Sequence, residues 1–203
     1  LLHNAGQKIS ETLDLTVIYQ TFLDLVSRTM PHDNLFVSSF NAQEEMIYCK
    51  YALVDGVEVD ISKLPPIPLE PEGQGLQSNV IRSGKPLLIN DVEKYVKHLS
   101  RVHYIDENDD VYEKNEKLPD DVPVAQSALI VPLILSGESV GAIQVFSYQK
   151  DAFSESDLRL MQALASQIAV ASNNALLYEQ AQQEIAERKK LQAELEEERN
   201  LLA

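Results

Sequence analysis

Residues 142–203 contain neither glycine nor proline. Those two residues interrupt helices most strongly, so this stretch constrains the fold more than any other in the chain. Ser154 is placed to cap a helix, with Asp157 three residues on, a capping-box-like start. A helix from position 155 to the end would be about 70 Å long at 1.5 Å per residue. One small domain cannot cover that length, so the helix is expected to have two parts. Over residues 158–177, Leu158, Met161, Leu164, Ala165, Ile168, Ala169, Ala171 and Leu176 form a stripe suited to packing on a core. Past Tyr178 the residues turn polar, with Glu184, Glu187, Arg188, Lys189, Lys190, Glu194 and the run Glu196-Glu-Glu198.

Two heptad registers run through that second part. One reads Leu177, Ala181, Glu184, Arg188, Leu191, Leu195, Glu198 and Leu202; the other reads Ala181, Ile185, Arg188, Gln192, Leu195, Arg199 and Leu202. The first has more apolar seam positions. It makes Leu177, Ala181, Leu191, Leu195 and Leu202 the expected interface of a parallel dimeric coiled coil. Glu184, Arg188 and Glu198 weaken that seam, and a solvated helix is the competing expectation.

The rest of the chain mixes periods. Ile9, Leu13, Val17, Phe22, Leu25 and Val26 fall near helical spacing, and Pro31 stops the pattern, so residues 1–30 are expected to be helix. Residues 34–40 and 46–53 predict a strand hairpin. Residues 55–72 hold Gly56, Pro65, Pro66, Pro68 and Pro71, which predicts loop or sheet edge. Gly73-Gln-Gly75 opens a short helix through Arg82, and residues 87–90 follow as a short strand. Residues 91–126 carry ten acidic against five basic side chains, which predicts a short helix over 92–99 and then a long loop. Loops that long are usually functional or disordered, so this one is either a lid over a pocket or a solvated insertion. Residues 127–135 and 139–148 predict two apolar strands around a turn at Gly137, with Pro132 demanding an edge or a bulge. The expected organisation is therefore a helix over 1–30, a core over 31–178 and a connector helix over 179–203.

Bulk properties exclude several classes. The net charge of −15 disfavours nucleic acid and anionic membrane, which need clustered Lys and Arg. No apolar run reaches the roughly 20 residues that span a bilayer, so no membrane insertion is expected. The single cysteine, Cys49, excludes an internal disulfide and suits a reducing, cytoplasmic compartment. Gly84-Lys85 is no phosphate loop, because Asn79 and Pro86 stand where Gly and Ser or Thr belong. No Gly-x-Ser-x-Gly elbow occurs.

Several motifs, taken in order, resemble the GAF domain family. Gly73-Gln-Gly75, Ile81-Arg-Ser-Gly-Lys-Pro86 and Ile89-Asn-Asp91 are similar to the middle of such a domain. Ser127-Ala-Leu-Ile-Val-Pro-Leu133, Gly137, Val140-Gly141-Ala-Ile-Gln-Val145 and Phe153-Ser-Glu-Ser-Asp-Leu158 are similar to its C-terminal half. The resemblance covers roughly residues 9–178. It implies an α+β fold with an antiparallel sheet of five or six strands. The terminal helices would pack on one face, and a lidded ligand cavity would lie on the other. It further implies a non-catalytic sensory domain of a signalling protein, such as a histidine kinase or cyclic-dinucleotide enzyme, joined to an output domain. A ligand-free dimerising spacer is the alternative, and a small-molecule enzyme on the same fold a third reading.

Special versions of the family fit poorly. The Asn-Lys-Phe-Asp-Glu type motif of cyclic-nucleotide binders is missing, and Val102-His103 has no cysteine for a bilin. Free methionine sulfoxide reductases of this fold exchange thiols among several cysteines, and this chain has one. His98 and His103 are five apart, which is not the spacing that sets two metal ligands on one helical face, so no metal or cofactor is expected. The fold would place a pocket between the sheet, the segment after Asp91 and the lid. Polar residues there are the informative ones: Ser38, Ser39, Tyr51, Asp91, Tyr95, His103, Tyr104 and Ser127 are the candidate ligand-binding set.

Overall fold

The computed structural model describes residues 12–97, 99, 103–105, 111–113 and 123–201. The first helix, α1 (Leu15–Thr29), starts where the Asp14 carboxylate accepts from the backbone N–H groups of Thr16 and Val17, at 2.9 and 3.3 Å. Its buried face is Ile18, Tyr19, Phe22, Leu25 and Val26, which sit three and four apart and so share one side of the helix. The backbone turns extended at Met30, before Pro31.

The strands follow as β1 (Asn34–Asn41), β2 (Met46–Val54), and the two-residue pieces β3 (Val57–Glu58) and β4 (Ile67–Pro68). Next come α2 (Leu76–Ser83), β5 (Leu87–Ile89) and the one-turn α3 (Val92–Val96). Then β6 (His103–Ile105) pairs with β7 (Val111–Glu113). The hairpin of β8 (Ser127–Leu135) and β9 (Glu138–Ser147) leads into α4 (Glu155–Leu201). The main sheet runs β3-β2-β1-β9-β8-β5, with β4 also beside β2, and every pairing is antiparallel. Its seven strands exceed the expected five or six because the proline-rich segment contributes two short edge pieces.

Each face of the sheet has its own core. On one face Leu35, Val37, Leu129, Val131, Ile143 and Val145 pack against Phe22 and Val26 of α1 and Met161, Leu164 and Ile168 of α4. We call the other face distal. There Ala128, Ile130 and Ala142 pack under Val80 and Ile81 of α2 and Val92 and Val96 of α3. A smaller cluster of Ala52, Val54 and Val59 with Phe36 lies farther along the sheet. This burial supplies most of the folding free energy, at roughly 25 cal/mol per Å² of apolar surface.

Two register shifts interrupt the alternation. Val37 pairs with Tyr51 but Ser38 pairs with Cys49, so Lys50 is an extra residue on β2. Leu133 pairs with Gly141 but Ile134 with Ser139, so Val140 is extra on β9. Pro132 lies beyond Ile130, the last β8 residue reached by β5, where β8 itself becomes an edge.

The α4 helix begins with a reciprocal cap: Asp157 N–H donates to Ser154 Oγ at 3.3 Å, and Ser154 N–H donates to Asp157 Oδ2 at 2.8 Å. Burial along α4 ends at Ala175, yet the helix runs unbroken to Leu201. Among the described residues, no helix is long and apolar enough to cross a membrane.

Candidate functional site

Ser38 lies on the distal face and is buried. The alternation that sends Leu35 and Val37 to the helices sends Phe36, Ser38 and Phe40 to the distal side. Ser38 Oγ donates to the Ala142 carbonyl at 3.2 Å and accepts from Nε2 of Gln77, in the first turn of α2. Gln77 Oε1 in turn accepts from Nε2 of Gln144, on β9, at 3.0 Å. A three-residue polar relay thus bridges β1, α2 and β9. Beside it lie two phenylalanine rings, Phe36 and Phe146, edge to face with centroids 6.0 Å apart. Phe36, Gln77, Gln144 and Phe146 are only half-buried, so this part of the face remains accessible. The resulting surface is apolar with two amides.

The other expected site residues disperse. Ser39 alternates to the helical face of β1 and is half-buried. Tyr51 lies on the helical face, where its ring packs on Tyr19 of α1 at 5.9 Å. The bulge at Lys50 causes this, because Cys49 and Tyr51 would otherwise share a face. Asp91 stands at the start of α3. It caps α3 through Lys94 N–H at 3.1 Å and pairs with Lys150 at 3.2 Å, and these contacts hold its carboxyl below the usual range, the backbone N–H first. Tyr95 is exposed on α3, while Val92 and Val96 of the same turn are buried.

Ser127 is buried but ties a loop, accepting from Ala152 N–H at 3.2 Å and donating to the Gln149 carbonyl. Its hydroxyl is committed to the turn before α4. His103 and Tyr104 are described only as backbone of β6, opposite Glu113 and Tyr112. Most of the expected lid, and His98, lie outside the described residues.

Cys49 donates to backbone carbonyls of Tyr51 at 3.4 Å and Val37 at 3.9 Å. Burial pushes its thiol up to about 11, so little thiolate exists near neutral pH. Among the described residues, no three His, Cys, Asp or Glu side chains are placed to hold a metal ion. Sequence reasoning missed Gln77 and Gln144. Gln144 carried a usable signal, being a polar residue inside an apolar strand. Gln77 carried none, since a glutamine in a helix is usually a surface residue.

The architecture of two helices on one face of a bulged antiparallel sheet, with a partly open distal face, defines a class of small α+β domains. The family model for the GAF domain matches residues 12–172, and the chain belongs to that family. Among curated proteins no relative matches the sequence. Solved structures of similar fold include the GAF domain of an Acinetobacter phosphoenolpyruvate-protein phosphotransferase. It is 15% identical with a TM-score of 0.62, over 87% of this chain and 92% of that one. A methyl-accepting chemotaxis protein fragment, residues 122 to 287, is 14% identical with a TM-score of 0.59, over 86% and 98%. The free methionine-R-sulfoxide reductase of Neisseria meningitidis, in complex with its substrate, is 12% identical with a TM-score of 0.63, over 87% and 89%. The reductases overturn the expectation of a non-catalytic chain: enzymes share this fold, and the fold therefore gives no ground for excluding catalysis.

Proposed function

We propose that the chain is a sensory or regulatory domain of a larger signalling protein. A small molecule on the distal face biases the arrangement of α1 and α4 on the opposite face. A parallel dimer through α4 carries that bias to a covalently linked output domain. The observation that supports this best is the double use of β1 and β9. These two strands hold Phe36, Ser38, Gln144 and Phe146 on the distal side and Leu35, Val37, Ile143 and Val145 against the helices. A ligand transmits a signal only through different affinities for two arrangements, and strands shared by both faces provide the physical link. The signalling proteins among the similar structures support the same reading. The dimer draws support from α4, where the seam residues Leu177 and Leu191 are 54% and 59% exposed, and no burial of them is seen among the described residues.

Native mass spectrometry and sedimentation test the proposal together. We expect a dimer retaining a non-covalent small molecule, and a monomer after Leu177→Asp with Leu191→Asp. A dimer that never binds a small molecule would leave a dimerising spacer, and a monomer would remove the relay. Turnover of free methionine-R-sulfoxide with a dithiol reductant, measured on the same sample, would replace the sensory reading with an enzymatic one.

A further inference from the structure

Gln144 has bonding capacity left over. A glutamine amide offers two N–H donors and a carbonyl with two acceptor positions. Gln144 gives one N–H to Gln77, at 3.0 Å, and among the described residues nothing donates to its Oε1. Gln77 is held at both ends, by Ser38 and by Gln144, and Ser38 is anchored on the Ala142 carbonyl. The relay therefore fixes the orientation of the Gln144 amide in advance and leaves an acceptor and a donor side by side. Preorganisation of this kind lowers the cost of binding.

The surroundings specify the rest of the ligand. Gln144 pairs across the sheet with Phe36 and lies two residues from Phe146 on the same face. A flat ring engaging the amide would rest against those two phenyl groups. Charge is the deciding feature. Strands β1, β8 and β9 carry no Lys, Arg, Asp or Glu except Glu138, exposed at the start of β9. Among the described residues near α2, the Arg82 guanidinium is spent on the carbonyls of Glu70, at 2.7 Å, and Leu69, at 3.2 Å. Carboxylate or phosphate set against Gln144 would lose its hydration without an opposite charge on these strands, and that costs far more than an amide contact returns.

We propose that the distal face takes a neutral, planar molecule with an amide or lactam edge, recognised by Gln144 and stacked beside Phe36 and Phe146. This rests on the reading of that face as the ligand site. Matched probes test it: nicotinamide against nicotinate, and benzamide against benzoate. Isotope-labelled full chain is titrated with each, and the side-chain amide signals of Gln77 and Gln144 and the ring signals of Phe36 and Phe146 are followed. We expect the two amides to move these signals saturably and the two carboxylates to bind about tenfold more weakly or worse, a difference of about 1.4 kcal/mol. Gln144→Leu should weaken nicotinamide by a similar factor; the matched pairs on the native chain keep the test decisive if that variant folds poorly. Carboxylates that bind as tightly as amides, moving the same signals, overturn the neutral class and leave the distal face as the ligand site. If none of the four probes moves those signals up to its solubility limit, the ligand class and the site fall together.

Discussion

At Gly141 a single carbon decides whether β1 and β9 can pair. A Cβ there would lie 2.0 Å from the Ser38 carbonyl oxygen, and backbone has nowhere to retreat in the middle of a sheet. Gly141→Ala should therefore destabilise the fold by about 3 kcal/mol, at the upper end of ordinary overpacking, read from urea unfolding. An unchanged midpoint would show that the strands can separate there at no cost. Cys49 sets a second expectation. An unfolded thiol titrates near 8.5, and burial raises the folded one to about 11. The folded state thus holds its proton more tightly, so this contribution to stability is full below about pH 8.5 and is lost as pH rises toward 11. Alkylation by iodoacetamide should be slow at pH 8 and accelerate toward pH 11; a rate equal to that of glutathione at pH 8 would refute the raised pKa.

These residues also mark how far the sequence could be read. A glycine inside a strand is a signal of close packing or a bulge, and Gly141 meets both, against Ser38 and beside the extra residue Val140. Tyr51 could not be placed from alternation, because the extra residue Lys50 carries no local signature and reverses the faces of everything after it.

Elements were more legible than the contacts between them. Helix starts and strand ends depend on local chemistry: the Ser154 and Asp157 side chains, the left-handed Gly84 that closes α2 at φ 61°, and the hairpin turn at Ser136 and Gly137. Each of these is written within a few residues. Ser154→Ala should cost about 1 kcal/mol by removing a cap, measured as a lowered unfolding midpoint, and Ser154→Asp should recover most of it. If both substitutions behave alike, the cap contributes nothing to α4. The edge pieces β3 and β4 were legible only as loop or edge, since a proline-rich segment acquires strand geometry only by lying beside β2. The relay of Ser38, Gln77 and Gln144 escaped for the same reason. Its members are far apart in sequence and meet only after α2 settles on the sheet.

The whole molecule is a two-faced sheet with a rod attached. The rod was foreseen from the lack of helix breakers, and the point at which its burial ends, Ala175, lies three residues before Tyr178, where the sequence turns polar. What the single chain reveals in addition is an exposed line, apolar except at Glu184, that starts earlier. Val170 is 49% exposed while its neighbours Ala169 and Ala171 are buried, and it stands one heptad before Leu177 and three before Leu191. A straight helix loses about 20° against a perfect heptad in every repeat, so this line winds about 60° around α4 over three repeats. Two copies keeping Val170, Leu177 and Leu191 in mutual contact must therefore twist about each other with a left hand. Angular phase along α4 is then set by residue count alone. Seven residues inserted after Gln180 should preserve pairing of the apolar line, whereas four should break it and turn every later side chain to a new azimuth. Sedimentation of the two insertion variants distinguishes them; in the proposed dimer, α4 would act as a shaft whose output angle is set by its length.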